Sequence, residues 1–233
     1  MSYRILLSTV WVGVFAATCV TPTNAGPLNG PMFPYESFND SPFKSMSFTW
    51  FDLVDMTALP NGPFSTPGVT VTPAGSATVI GPGGEIDSVD GMGNNGHSLF
   101  SACGACGLTF TFDAAVLGSL PTAAGIAWTD GVFKIHFSAV DANGNSLGQI
   151  NDATGCDFTC GDGDPSHFRF FDAIDPVGIK SITISNDGGG IEVDHLQFGL
   201  LAPQSPVPEP STMAVTFLAL GALLAKAAVQ KRQ

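Results

Sequence analysis

From about residue 46 to residue 198 the chain is written in short β-patterned runs broken by Gly, Pro, Asn and Asp. In LTFTF, Leu108, Phe110 and Phe112 share one side, with Thr109 and Thr111 opposite. In VFKIHFSAV, Val132, Lys134, His136 and Ser138 point one way and Phe133, Ile135, Phe137 and Ala139 the other. A period of two with one polar side is the signature of a half-solvated antiparallel strand. The same reasoning predicts strands over Met46–Val54, Val69–Thr72, Ala77–Ile80, Gly125–Trp128, Ser146–Ile150, His167–Phe171, Ile179–Ser185 and Ile191–Phe198. Asp141-Ala-Asn-Gly144 reads as a hairpin turn, since Asn-Gly supplies positive φ. No segment keeps helical spacing over three turns; Asp113 to Leu120 could form one or two turns at most. About ten short strands with turn chemistry between them predict an all-β fold, a two-sheet antiparallel β-sandwich of jelly-roll type, with a closed barrel as the alternative. No internal repeat argues for a propeller or solenoid.

Both ends depart from this pattern. Residues 1–25 carry one basic residue, Arg4, then an apolar run from Ile5 to Val20, then small residues ending at Ala25, which is the build of a secretory signal peptide. The β-domain is expected over residues 26–202, and a Pro-rich spacer over 203–206. From Met213 to Val229 the chain is apolar except for Thr216 and Lys226, long enough to cross a bilayer. Lys226 can reach the interface, and Lys231 and Arg232 act as a membrane stop on the cytoplasmic side.

Charge and cysteine usage narrow the function. The whole chain has a net charge of −12, but residues 26–206 hold 19 Asp and Glu against Lys44, Lys134, Arg169 and Lys180, a net of −15. Such a surface repels nucleic acid and excludes it as a partner. Beyond Cys19, the cysteines fall in two close pairs, Cys103/Cys106 and Cys156/Cys160. An exported chain favours disulfides over the rival four-thiolate zinc site, with the connectivity left open.

The last 27 residues carry more than a generic anchor. Val207-Pro208-Glu209-Pro210-Ser211-Thr212, an apolar helix and a basic end together resemble the PEP-CTERM sorting signal of Gram-negative bacteria. Met213 stands where an aromatic often follows Ser-Thr. The resemblance implies export, an inner-membrane intermediate, processing at Pro-Glu-Pro by an exosortase, and a final place at the cell surface or in an extracellular polysaccharide matrix. This type of tail is also named after ice-binding proteins, a label that says nothing about the domain. The domain resembles uncharacterised exported β-sandwich proteins that often bear this tail. The residues that carry this second likeness are Thr66-Pro-Gly-Val-Thr70, Ile86-Asp-Ser-Val-Asp90, Gly96-His97-Ser98-Leu99-Phe100, Thr109-Phe-Thr-Phe-Asp113, Leu117-Gly-Ser-Leu-Pro-Thr122, Gly125-Ile-Ala-Trp-Thr-Asp130, Arg169-Phe170-Phe171 and Ile191-Glu-Val-Asp194-His195-Leu-Gln-Phe198. Asp172 stands where such proteins usually have Gly, which implies a different turn.

Little here points to catalysis, and no catalytic residue is assigned. His97, His136, His167 and His195 form no HxH or HExxH spacing, and there is no GxSxG elbow. Strand alternation is expected to point Asp194 and His195 to opposite faces. With Glu36, Glu85 and Glu192 as the domain's only glutamates, a glycan hydrolase is a remote alternative. A structural calcium is the one cofactor candidate, with its oxygen donors in the Asp87–Asn95 loop around Asp87 and Asp90, in the Asp157–Asp164 loop, or on the first and last strands at Asp52 and Asp194. Trp128, expected at a strand end, is the candidate stacking platform for a sugar. The leading expectation is a non-catalytic surface or matrix protein whose partners are the membrane and an exosortase-type enzyme. The alternative is a carbohydrate-binding module for extracellular polysaccharide.

Overall fold

The computed structural model describes residues 27–32, 34–73, 77–82, 89–92, 95–152 and 167–203. The expected signal peptide, sorting motif and membrane segment, together with Asp87, Cys156, Cys160 and the Asp157–Asp164 loop, lie outside these residues. No helix among the described residues is long and apolar enough to cross a membrane.

Eleven strands are described: β1 Leu28–Met32, β2 Phe48–Val54, β3 Gly62–Pro63, β4 Val69–Thr72, β5 Ala77–Ile80, β6 Ser98–Ser101, β7 Leu108–Phe112, β8 Ala123–Asp141, β9 Ser146–Asp152, β10 Arg169–Ile174 and β11 Ile179–Leu201. All pairings between them are antiparallel. A single helical turn, α1 Ala114–Leu117, falls where one was expected, with the Asp113 side chain accepting from Ala115 N–H. The Asp141–Asn145 hairpin also forms, with Gly144 at φ +86° and the Asp141 carboxylate accepting from the backbone N–H groups of Asn143 and Asn145.

The layers differ from two separate sheets. Gly125–Trp128 and Val132–Val140 belong to one 19-residue strand, β8, and the two C-terminal runs belong to one 23-residue strand, β11. These two strands pair along most of their length and pass through both layers. Their first-layer halves lie beside β10 and β1 on one side and beside β2, β6, β5 and β3 on the other. Their second-layer halves lie between β9 and the β7–β4 pair. Where β8 crosses over, Phe133 takes φ +67°, the alternation breaks, and its ring is 42% exposed instead of facing inward.

The inner faces close the sandwich. Phe137 stacks on Phe171 at 5.6 Å and Phe112 meets Phe198 at 5.1 Å, joining the two layers in one apolar cluster. The outer face of the first layer is covered as well: Tyr35 and Phe43, from the segment before β2, pack with Phe168, Phe170, Ala123 and Ala127. Strands buried on both faces need no polar side, which is why AAGIAW and IEVDHLQF show no clean alternation. Asp172 is not at a turn; β10 runs through it, and its side chain is 1% exposed.

Candidate ligand face and buried polar centre

The outer face of the second layer is assembled by register alone. Gln149, Ser138, Thr183, Thr109 and Thr72 form one row across β9, β8, β11, β7 and β4. Val140, Ser181, Thr111 and Thr70 form the next, and Asn151, His136 and Ser185 a third. Their neighbours along each strand, such as Phe110, Phe137, Ile182 and Ile184, are buried, so these hydroxyl and amide groups face outward. Five strands at the usual spacing make a face about 19 Å wide. Thr109 and Thr183 hydroxyls lie 2.8 Å apart. A shallow cavity of ≈ 420 Å³ opens at the Thr70–Thr111 corner, where Asp113 and Lys180 contribute one charge of each sign.

At the other end of the face His136 places Nδ1 2.6 Å from Asn151 Oδ1 and Nε2 2.7 Å from Asp187 Oδ1. Two acceptors ask for two N–H groups, so the site favours the protonated ring. The hydrogen bond to Asp187 raises the imidazole pKa above its ordinary value, helped by the bond to Asn151, and His136 in turn lowers that of Asp187.

The second polar assembly is buried beside the outer cluster of the first layer. A bulge interrupts β11 between Asp194 and Gln197, and His195 takes φ +47°. Alternation therefore fails where it was expected to separate Asp194 from His195, and both side chains are buried. Asp194 Oδ1 accepts from the backbone N–H groups of Met56 and His195 at 2.9 and 2.6 Å, and Oδ2 from that of Val89 at 3.1 Å. Complete burial pushes its carboxyl up to about 6, while His195 and the three N–H donors pull it back down. His195 Nδ1 lies 3.0 Å from the Tyr35 hydroxyl, which accepts from Gln197 Nε2 at 2.6 Å; Gln197 Oε1 accepts from Ser41 Oγ at 2.5 Å. Burial raises the Tyr35 pKa far above its ordinary value, so it stays a neutral phenol.

Among the described residues the expected calcium donors Asp52, Asp90 and Asp194 do not come together. Asp52 is exposed on β2 opposite Phe198, four residues along β11 from the buried Asp194. Both oxygens of Asp194 are taken by backbone donors. Asp90 does reach this region, with Oδ2 3.4 Å from His195 Nε2. The Trp128 platform is corrected too: the residue sits inside β8 with 0% exposure, packed in the core. Cys103 and Cys106 are bonded to each other across a single turn, which removes them from a four-thiolate zinc site. Glu192 is buried, its carboxylate accepting from Ser98 Oγ. Sequence reasoning missed Asp55 and Gln197, and nothing in the local spacing signals them.

Fold and surface together define a β-sandwich domain with one hydroxyl-rich outer face and one buried polar centre. No protein-family model matches the chain, and no curated protein matches it either. Among solved structures it is similar to the C-terminal family 22 carbohydrate binding module of Clostridium thermocellum Xyn10B, at 10% identity and a TM-score of 0.37, over 69% of this chain and 99% of that one. It is also similar to the enzymatically active domain of tailspike protein 4 of bacteriophage CBA120, at 14% identity and a TM-score of 0.29, over 68% of this chain and 20% of that one. Likenesses this distant leave the functional argument to the chain's own residues.

Proposed function

We propose that this is an exported, non-catalytic domain that binds extracellular polysaccharide on the outer face of its second layer. The carrying observation is the five-strand array of Thr, Ser, Asn and Gln side chains. Hydroxyl and amide groups both donate and accept, which suits the hydroxyls of a sugar chain. The face is nearly neutral although the domain is strongly acidic, so it does not select for a cation-rich or anion-rich partner. Phe133, exposed at the Lys134–His136 end, adds an apolar surface against which a sugar ring can pack. The tail supplies the address: sorting through Pro208-Glu209-Pro210 would leave the domain among the polysaccharides it binds.

The test uses the full chain purified from its host and run in affinity electrophoresis through gels containing host extracellular polysaccharide and a panel of neutral glycans. Retardation by at least one glycan is expected. Replacing Thr109 and Thr183 together by Val keeps shape and removes two hydroxyls, and should weaken binding about tenfold with the fold intact. Binding to no glycan, or full binding by the double variant together with a Thr70→Val, Thr111→Val pair, would overturn the assignment.

A further inference from the structure

We infer that Asp55, Asp90 and His195 form a binding site for one divalent transition-metal ion. The three residues come from distant parts of the chain: the turn after β2, the connection between β5 and β6, and the bulge in β11. Their donor atoms all lie within 4.8 Å of one another. Asp194 lies beneath them and gathers the same three segments, because its carboxylate holds the N–H after Asp55, the N–H before Asp90 and the N–H of His195.

The imidazole is what points to an ion. His195 is 1% exposed, yet no hydrogen bond reaches its Nε2 among the described residues, and its approach to Asp90 Oδ2 is 3.4 Å. That is long for a charge-assisted hydrogen bond, which closes to about 2.8 Å. It matches the separation of two donors around a tetrahedral ion, since bonds of about 2.1 Å set them about 3.4 Å apart. The other ring nitrogen, Nδ1, has the Tyr35 hydroxyl oxygen at 3.0 Å as a hydrogen-bond partner. An ion at Nε2 selects the tautomer with Nδ1–H donated to the Tyr35 hydroxyl and the Nε2 lone pair turned to the metal, the arrangement metal-binding histidines adopt. Asp55 keeps Oδ1 on the Thr57 N–H at 2.8 Å and offers Oδ2.

One imidazole and two carboxylates select against calcium, which takes oxygen donors, and suit zinc or manganese. Asp90 is half-exposed, 47% for its side chain, so an ion there keeps a face toward water and can take up a fourth ligand from solution. The ion's structural effect is to tie the turn after β2 and the Asp90 segment to the last strand.

The experiment is titration of the full chain, stripped with chelator and kept in detergent, with zinc chloride alone and then manganese or calcium chloride alone, followed by calorimetry and thermal unfolding. Expected are one zinc site per chain lost in the variants, and a melting temperature raised by roughly 5–10 °C at a hundredfold excess over Kd. Asp90→Asn should weaken zinc binding at least about 100-fold while the metal-free melt moves by less than roughly 2 °C. Asp55→Asn retains the cap acceptor and should behave alike. No zinc uptake by the unmodified chain, equal uptake by both variants, or uptake of calcium in preference to zinc would each overturn the inference. None of these results depends on glycan binding, so the two readings fail separately.

Discussion

Asp172 is a buried carboxylate whose removal should stabilise the protein. It lies mid-strand in β10, between Asn29 of β1 and Gly125 of β8, on the same side as Phe170. Oδ2 accepts from Asn29 Nδ2 at 3.0 Å, and Oδ1 is buried with no partner. Burial raises the carboxyl from 3.8 to about 6, the Asn29 bond offsetting part of the shift. Because the folded form holds its proton more tightly, stability is greatest below the unfolded value of 3.8 and is lost as pH rises toward about 6. The full interval of roughly two pKa units corresponds to about 3 kcal/mol, of which about 2 kcal/mol falls between pH ~4 and pH ~7.5. In Asp172→Asn the group is neutral at every pH and Asn29 keeps an acceptor. Urea unfolding of wild type and variant, followed by tryptophan fluorescence, should show the variant gaining about 2 kcal/mol on the wild type across that interval. Subtracting the two curves removes every other titrating group. A difference that stays constant with pH, or that runs against the variant as pH rises, would show that Asp172 ionises without a burial cost and refute the reasoning.

Two other perturbations read different parts of the molecule. His136 should titrate above the ordinary imidazole range in an NMR experiment, and Asp187→Asn should bring it down, since the Asp187 bond is the largest cause of the shift. Its contribution to stability is present at low pH and lost as pH rises through the folded value; an unchanged titration in the variant would mean that the ion pair does not form in solution. Gly125→Ala would put a Cβ 2.5 Å from the Phe170 ring and 2.8 Å from the Phe171 carbonyl oxygen, so a loss of about 1–3 kcal/mol is expected in urea unfolding. Phe170 stacks on Tyr35 at 4.9 Å, so the same variant should also disturb the hydrogen bonds of His195.

The strands that were legible are those with one wet face. LTFTF, VTVT and ATVI are strands over the ranges their period predicts, because a half-buried strand must alternate. Leu28–Met32, Gly62–Pro63 and Ser98–Ser101 escaped, since their Gly, Pro and Ser content reads as turn while long-range pairing holds them in the sheet. That Gly125–Trp128 and Val132–Val140 are one strand was equally hidden: Asp130-Gly131 looks like a turn, and only the pairing with β11 shows it to be a bend.

The candidate sites divide along the same line. The hydroxyl face was half visible, because Thr109, Thr111 and Ser138 were already placed opposite the apolar positions; what joined them into one surface was the order β9-β8-β11-β7-β4. The buried centre was visible only as isolated residues. Asp90 and Asp194 were singled out as acidic, but their roles separate once backbone donors are counted: Asp194 is saturated and organises, while Asp90 projects toward His195. The step that no periodicity could supply is the bulge at His195, which turns a neighbour expected on the opposite face into the third corner of the Asp55–Asp90 cluster. A bulge costs the ladder regular pairing, and here it brings the one imidazole of the strand up to two carboxylates from other segments. The irregularity and the donor set therefore belong to one feature, placed on the layer opposite the hydroxyl face, so a ligand could be held on one side of the sandwich while an ion fixes the other.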